Sequence, residues 1–211
     1  MDFADLREAP AMSPDDLARA LAQPGRASLP YVDRNNPDRP LVLECFRPQN
    51  HDPEKPVVIV QHGASRNGAE YCGAWVPAAE RHGLLIIAIT FPKEAWPDAI
   101  TYNNGHVLDD RGNVRPREGW SLAIPGRVFA LLREAGITRR DKTYLWGRTG
   151  LPGRSSISIA AGRKPPSSEC GAAGAGLSCR VSRMRACGCR PLPAIIGSAA
   201  RAEFAQRGMP R

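Results

Sequence analysis

The sequence predicts an α/β fold in which a mainly parallel sheet is covered by helices on both faces. Three observations predict it. Short continuous apolar runs, rich in β-branched residues, are typical of strands that are buried on both sides. Helical patterns separate these runs, and this alternation favours parallel strands joined by crossover helices. The length of 211 residues suits one domain with a well-filled core.

Residues 1–40 are predicted to hold a helix followed by a loop. In the stretch SPDDLARALA, residues 13–22, Ser13 suits the N-cap and Pro14 suits the first turn. The two Asp that follow are favourable at the positive end of the helix dipole. Pro, Asn, Asp and Arg dominate residues 24–40, which therefore read as a loop.

Residues 41–148 are predicted to form the core. Gly83 and Gly136 are expected to end its two helices, and Pro125 falls within the first half of the second one. A long irregular segment, residues 91–118, precedes that second helix. In chain order, the predicted elements are a strand at 41–46, a strand at 56–61, a helix at 70–82, a strand at 84–89, a helix at 119–135 and a strand at 142–146.

Residues 149–211 form a basic tail rich in Gly, Ser, Arg and Cys, and we expect it to be poorly ordered. Only residues 156–161, as a strand, and 199–207, as a helix, suggest regular structure. Residues 1–148 carry 19 Lys and Arg against 19 Asp and Glu, so the whole excess of +8 lies in this tail. Such a composition is typical of a high-GC gene read out of frame, and a frame shift near codon 148 is our hypothesis for its origin.

Composition also limits the partners and cofactors. Four of the six cysteines lie in the tail, but their spacing fits no zinc pattern and no His follows residue 148, so we expect no metal and no cofactor. No run of 18 apolar residues predicts a membrane span, and the acidic start is not a signal peptide, so a cytoplasmic location is the default. Without a stacking aromatic or a known module, we do not expect the basic tail to bind nucleic acid.

Two polar, glycine-containing loops follow predicted strands, at residues 61–67 and 147–150. Function in α/β sheets gathers at the carboxyl ends of the strands. Acyl transfer needs a nucleophile on a tight turn together with backbone N–H donors aimed at the developing oxyanion. A His-Gly loop followed by a Gly-x-hydroxyl-Gly turn supplies both parts in the expected order.

On these residues the chain resembles a family. Its first half is similar to an α/β-hydrolase, of the polyhydroxybutyrate-depolymerase-like and feruloyl-esterase-like type. This resemblance implies a three-layer sandwich that cleaves a small carboxylic ester. The stretches that carry the resemblance are PVVIVQHGASRNGAEY, RHGLLIIAITFP, YNNGHV, AIPGRVFALL and KTYLWG.

The resemblance also implies site residues. Thr149 would take the nucleophile position, and Gly150 with Ala64 or Ser65 would supply the oxyanion-hole N–H groups. We expect further residues to border the substrate cleft, although His62 alternatively only hydrogen-bonds its loop and the segment before His106 alternatively forms a simple turn. These cleft residues are His62, Asn67 and His106.

The sequence departs from the family at the nucleophile turn. The family pattern is Gly-His-Ser-x-Gly, whereas this chain has Gly147-Arg148-Thr149-Gly150-Leu151. Beyond residue 148 there is no His and no Asp, so the usual triad partners are missing. We therefore expect a truncated, catalytically impaired esterase. The alternative is a non-catalytic binding module whose basic tail contacts nucleic acid.

Overall fold

The computed structural model describes residues 2–98, 100–102, 104–148 and 155–161. Thr149, Gly150 and the helix predicted at 199–207 lie outside the described residues. Two short 3-10 helices, Arg117–Gly119 and Ser121–Ala123, precede the last α-helix. The other elements are α1 (Phe3–Glu8), α2 (Pro14–Ala20), β1 (Gly25–Tyr31), β2 (Leu41–Arg47), β3 (Val57–Gln61), α3 (Gly68–His82), β4 (Leu85–Thr90), α4 (Ile124–Glu134), β5 (Lys142–Arg148) and β6 (Ser155–Ala161).

One sheet joins the described strands in the order β1-β2-β4-β3-β5-β6. β3 lies at its centre and runs parallel to both β4 and β5. The pairs β1–β2, β2–β4 and β5–β6 are antiparallel. The α/β class is thus confirmed, but the sheet is mixed rather than mainly parallel. No helix separates β1 from β2 or β2 from β3, so the flanking strands have no crossover helix that would make them parallel.

The apolar strands are buried on both faces, as their sequences predict. Ile59 and Ile87 pack on one face under α2 and α4, whereas Val58 and Ile86 pack on the other face under α3. All four side chains are at most 1% exposed. Two separate apolar cores therefore sandwich the sheet, and the helices of this three-layer arrangement hold the strand ends in place.

The predicted helix at 119–135 begins later than expected. α4 starts at Ile124, so Pro125 is the second residue of the helix and does not lie several residues inside it as predicted. Proline lacks the N–H that donates a hydrogen bond inside a helix, whereas N–H groups of the first turn have no intrahelical acceptor, so proline is tolerated there. Residues 117–123 consequently form 3-10 turns. α3 ends at Gly83 as predicted, because this glycine adopts the left-handed conformation with φ 68°.

Two elements of the N-terminal part were not predicted. α1 spans six residues, and Asp2 forms a capping box at its start. β1 occupies part of the segment that reads as a loop, because Arg26, Ser28 and Pro30 obscure its alternation. It is an edge strand that pairs only with β2, and an edge strand tolerates the missing N–H of Pro30.

An ion pair between a buried carboxylate and a partly buried guanidinium ties this N-terminal part to α4. Asp33 is fully buried, and both of its carboxylate oxygens accept from the Arg127 guanidinium, at 2.6 and 2.7 Å. Asn36 donates a further hydrogen bond to the same carboxylate at 2.7 Å. Arg127 also donates to the Glu118 carbonyl oxygen at 3.0 Å, which holds the turns before α4. In the part of the chain described here, no helix combines the length and apolarity that a membrane crossing requires.

Candidate active site

The parallel register brings the two predicted loops to the same edge of the sheet. Gln61, the last residue of β3, lies opposite Ile89 of β4 and opposite Gly147 of β5. The ends of these strands therefore lie side by side at the carboxyl edge of the sheet, where α/β proteins place their sites. The structure brings the start of the loop of residues 62–67 beside the end of β5, after which the nucleophile turn is predicted. Thr149 and Gly150 themselves are not among the described residues.

The tip of the loop at residues 62–67 is a tight turn. The N–H of Arg66 donates to the Gly63 carbonyl oxygen at 3.3 Å, and Ala64 and Ser65 are the exposed central residues. Neither the Ala64 N–H nor the Ser65 N–H has a hydrogen-bond partner in the described part of the chain. Two backbone donors are thus available at this edge, as an oxyanion site requires.

His62 is buried beneath this turn, and its imidazole contacts Gly63, Phe91 and Tyr102. The Phe91 N–H donates to its Nε2 at 2.9 Å. Nδ1 therefore carries the proton, and it lies 2.8 Å from the Gly63 carbonyl oxygen and 2.9 Å from the Tyr102 hydroxyl. Burial is the main cause that lowers the pKa of His62 to about 4; the hydrogen bond to the Gly63 carbonyl oxygen opposes this shift and the positive charge of Arg66 adds to it. This imidazole is neutral near pH 7 and has no free nitrogen for a substrate.

Arg66 and Tyr102 complete the support of the loop, although the sequence did not single them out. The Arg66 guanidinium donates to the Trp96 carbonyl oxygen at 2.8 Å and to the Phe91 carbonyl oxygen at 3.4 Å. It also stacks on Tyr102, 3.8 Å from the ring centroid. The Tyr102 hydroxyl donates to the His62 carbonyl oxygen. The positive φ of Arg66, 58°, is the signal of its role, and only coordinates reveal it.

Asn67 links the loop to α3 without contacting the exposed donors. It is the N-cap residue of α3 by position, but its side chain makes no cap hydrogen bond. Its Nδ2 donates to the Glu70 carboxylate at 2.6 Å, and its Oδ1 is buried without a hydrogen-bond partner in the described structure. The expected role of Asn67 in the substrate cleft stays a prediction.

His106 lies in the segment between β4 and α4 and not in the loop of residues 62–67. Its imidazole is buried, packs edge-on against Trp96 at 6.0 Å and contacts the Arg115 guanidinium. Burial, together with the positive charges of Arg115 and Arg39, lowers the pKa of His106 to about 4. Trp96 lies between His106 and Arg66, since it contacts both. A cleft role for His106 stays a prediction.

Comparison with solved structures supports the resemblance seen in the sequence. The chain is similar to the poly(3-hydroxybutyrate) depolymerase LpqC from Bordetella parapertussis, with 45% identity, a TM-score of 0.62, and coverage of 64% of this chain and 47% of that one. It is also similar to poly(aspartic acid) hydrolase-1 from Sphingomonas sp. KT-1, with 29% identity, a TM-score of 0.57, and coverage of 60% and 47%.

The chain thus spans about half the length of these two hydrolases. No protein-family model matches it, and neither does any curated protein. The resemblance of the core to the N-terminal half of an α/β-hydrolase-type esterase is confirmed.

Proposed function

We propose that this chain is built as a carboxylic-ester hydrolase for a small ester and that its hydrolytic step is impaired. One observation carries the proposal: Gln61 and Gly147 are paired on adjacent parallel strands. This pairing supports a site in which the Ala64 and Ser65 N–H groups, unpaired in the described structure, would lie near the turn that leads to Thr149. The similarity to a depolymerase and to a second hydrolase supports the same reaction class.

The chemistry follows from this arrangement. A hydroxyl on the turn after Gly147 would attack the ester carbonyl, and negative charge would develop on the carbonyl oxygen. The N–H groups of Ala64 or Ser65 and of Gly150 would stabilise that charge. Removing one donor of such a pair typically lowers kcat by about 10²–10³-fold.

The four histidines of the chain support the impairment, since none offers a general base. His51 and His82 lie at the amino edge of the parallel strands, about 15 Å from the site for a five-residue strand. Both ring nitrogens of His62 are occupied by the fold. His106 has its pKa lowered to about 4, so it is a weak base. A threonine hydroxyl without a base is a poor nucleophile.

The pairing of β5 with β6 also supports the impairment. The nucleophile turn of this fold normally leads from a strand into a helix, whose start lies at the oxyanion site. Here the chain returns along β5 as the antiparallel β6, and only six residues, 149–154, separate the two strands. The next described element after β5 is therefore a strand and not the helix that the reaction uses.

Hydrolysis of 4-nitrophenyl acetate by the purified chain tests the impairment. We expect the wild type to be no faster than Thr149→Ala, and Thr149→Ser to gain less than about tenfold, because the base is still missing. A wild-type rate that disappears in Thr149→Ala would contradict the impairment while supporting the reaction class.

A chimera tests the reaction class itself. Residues 1–147 would be joined to the segment of the Bordetella parapertussis depolymerase that starts at its nucleophile turn. We expect turnover to return, and Ala64→Pro, which removes one N–H, to lower kcat by about 10²-fold. Ser65→Ala keeps the backbone N–H and is the matched control. A folded chimera without ester cleavage would refute the proposal.

The binding-module alternative rests on the charge of residues 149–211, which carry the whole excess of positive charge. Electrostatic binding to nucleic acid weakens steeply with salt. Binding of a DNA duplex that falls with salt and is lost when residues 149–211 are removed would favour this alternative.

A further inference from the structure

We propose that Arg66 and Tyr102 are positioning residues that hold the loop of residues 62–67 in a fixed conformation before any substrate is present. The inference rests on the proposed function, because the loop matters only if Ala64 and Ser65 serve as oxyanion donors. The side chains of Arg66 and Tyr102 contact the His62 backbone and the segment after β4, and they act on the Ala64 and Ser65 N–H groups through the conformation of the loop.

The loop divides its residues between an inner and an outer side. His62 and Arg66 direct their side chains inward to the segment after β4, which supplies the Phe91 N–H and the carbonyl oxygens of Phe91 and Trp96. Ala64 and Ser65, which lie between these two anchors, stay exposed. Hydrogen bonds thus hold both ends of the turn, while the two residues at its tip face solvent.

Tyr102 connects the two anchors into one unit. Its hydroxyl donates to the His62 carbonyl oxygen and lies 2.9 Å from the protonated Nδ1 of the same residue. Its ring stacks on the His62 ring, with centroids 5.0 Å apart, and faces the Arg66 guanidinium. Removing the hydroxyl would leave a carbonyl oxygen without this donor, and removing the guanidinium would uncover the ring.

The backbone supplies an independent observation. Arg66 and His106 are the two non-glycine residues of the described chain with positive φ, at 58° and 53°. A bulky residue adopts this conformation only where its surroundings hold it there. At position 66 the left-handed turn is what sends the guanidinium inward to the Phe91 and Trp96 carbonyl oxygens. Fixed donors act on an oxyanion without the reorganisation that a mobile loop would need.

¹⁵N relaxation of the full-length chain tests this role without requiring any turnover. We expect the amides of Ala64 and Ser65 to be as rigid as the sheet, with order parameters of about 0.85. In Arg66→Ala these order parameters should fall below about 0.6. Tyr102→Phe should lower the same order parameters. The order parameters in Arg66→Lys should lie between those of the wild type and those of Arg66→Ala. The lysine ammonium group can face the Tyr102 ring but cannot donate to both carbonyl oxygens.

Two variants serve as matched controls. Arg139→Ala removes an arginine at the opposite edge of the sheet, where it pairs with Glu54, and Tyr144→Phe removes a hydroxyl within β5. Neither should change the order parameters at residues 64 and 65. Melting temperatures monitored by circular dichroism separate local loosening from global destabilisation. If Arg66→Ala does not fold, Arg66→Lys and Tyr102→Phe carry the test.

The outcomes separate this inference from the proposed function. Unchanged order parameters in folded Arg66→Lys and Tyr102→Phe would overturn the positioning role, even if ester cleavage is found. Order parameters that fall as stated would support the positioning role, even if the chimera is inactive and the hydrolase proposal fails.

Discussion

Acid should destabilise the protein through His62, over a pH range set by the contacts of this side chain. Burial lowers its pKa to about 4, whereas an imidazole in the unfolded chain has a pKa near 6.5. Between these values the unfolded chain binds a proton that the folded chain does not. The stability contributed by the neutral imidazole is therefore fully present above pH 6.5 and is lost as the pH falls towards 4.

The magnitude follows from the same two values. One proton taken up on unfolding changes the free energy of unfolding by about 1.4 kcal/mol per pH unit, or about 3 kcal/mol over the whole interval. His106 contributes in the same direction, since its pKa is also lowered to about 4. His51, whose pKa is lowered by burial, and His106 contribute alike in the wild type and in His62→Gln, so the two proteins should differ in proton uptake on unfolding by about one proton, the one bound by His62.

Urea denaturation between pH 4.5 and 6.5 measures this difference. The free energy of unfolding of His62→Gln should depend less steeply on pH than that of the wild type, by about 1.4 kcal/mol per unit. His82→Gln, at the end of α3 on the opposite edge of the sheet, is the matched control. Equal slopes in wild type and His62→Gln would refute the reasoning, as would an NMR titration in which the folded His62 ring protonates near pH 6.5.

Further substitutions test the packing around the site. Asp33→Ala leaves the partly buried guanidinium of Arg127 without its buried carboxylate, so urea denaturation should show a loss at the lower end of about 3–5 kcal/mol; a loss below about 1 kcal/mol would contradict the importance of this ion pair. Gly68→Ala would place a methyl carbon 2.0 Å from the Thr90 Oγ1, so we expect a loss of about 1–3 kcal/mol. Thr90→Ala should relieve most of that loss in the double variant, and additive losses would argue against the contact.

The sequence predicts the central strands well because burial on both faces leaves a strong pattern. β3 and β4 are runs of Val, Leu and Ile, and the structure confirms both to within a residue of the predicted bounds. β1 carries a weaker pattern, since one face meets solvent and an edge position admits Pro30. Pattern alone does not separate such a strand from a loop.

The sequence likewise predicts where the candidate site lies but not which side chains hold it in place. The order of strands and loops predicts that residues 62–67 lie beside the turn after Gly147, because the carboxyl ends of parallel strands share one edge. Which side chains hold the loop depends on contacts between distant segments. Arg66 meets the Trp96 carbonyl oxygen 30 positions away, and Tyr102 meets His62 40 positions away. Neither residue type nor spacing in the sequence marks these pairs.

The central place of β3 has a consequence for the order in which the chain is made. β3 has β5 as one of its neighbours, and the Thr143 hydroxyl donates to the Val57 carbonyl oxygen across 86 positions. At a translation rate of about 5–20 residues per second, a ribosome needs about 5–15 seconds to reach β5 after finishing β3. Throughout that time an apolar central strand of the nascent protein has one unpaired side, which is the kind of surface that chaperones recognise.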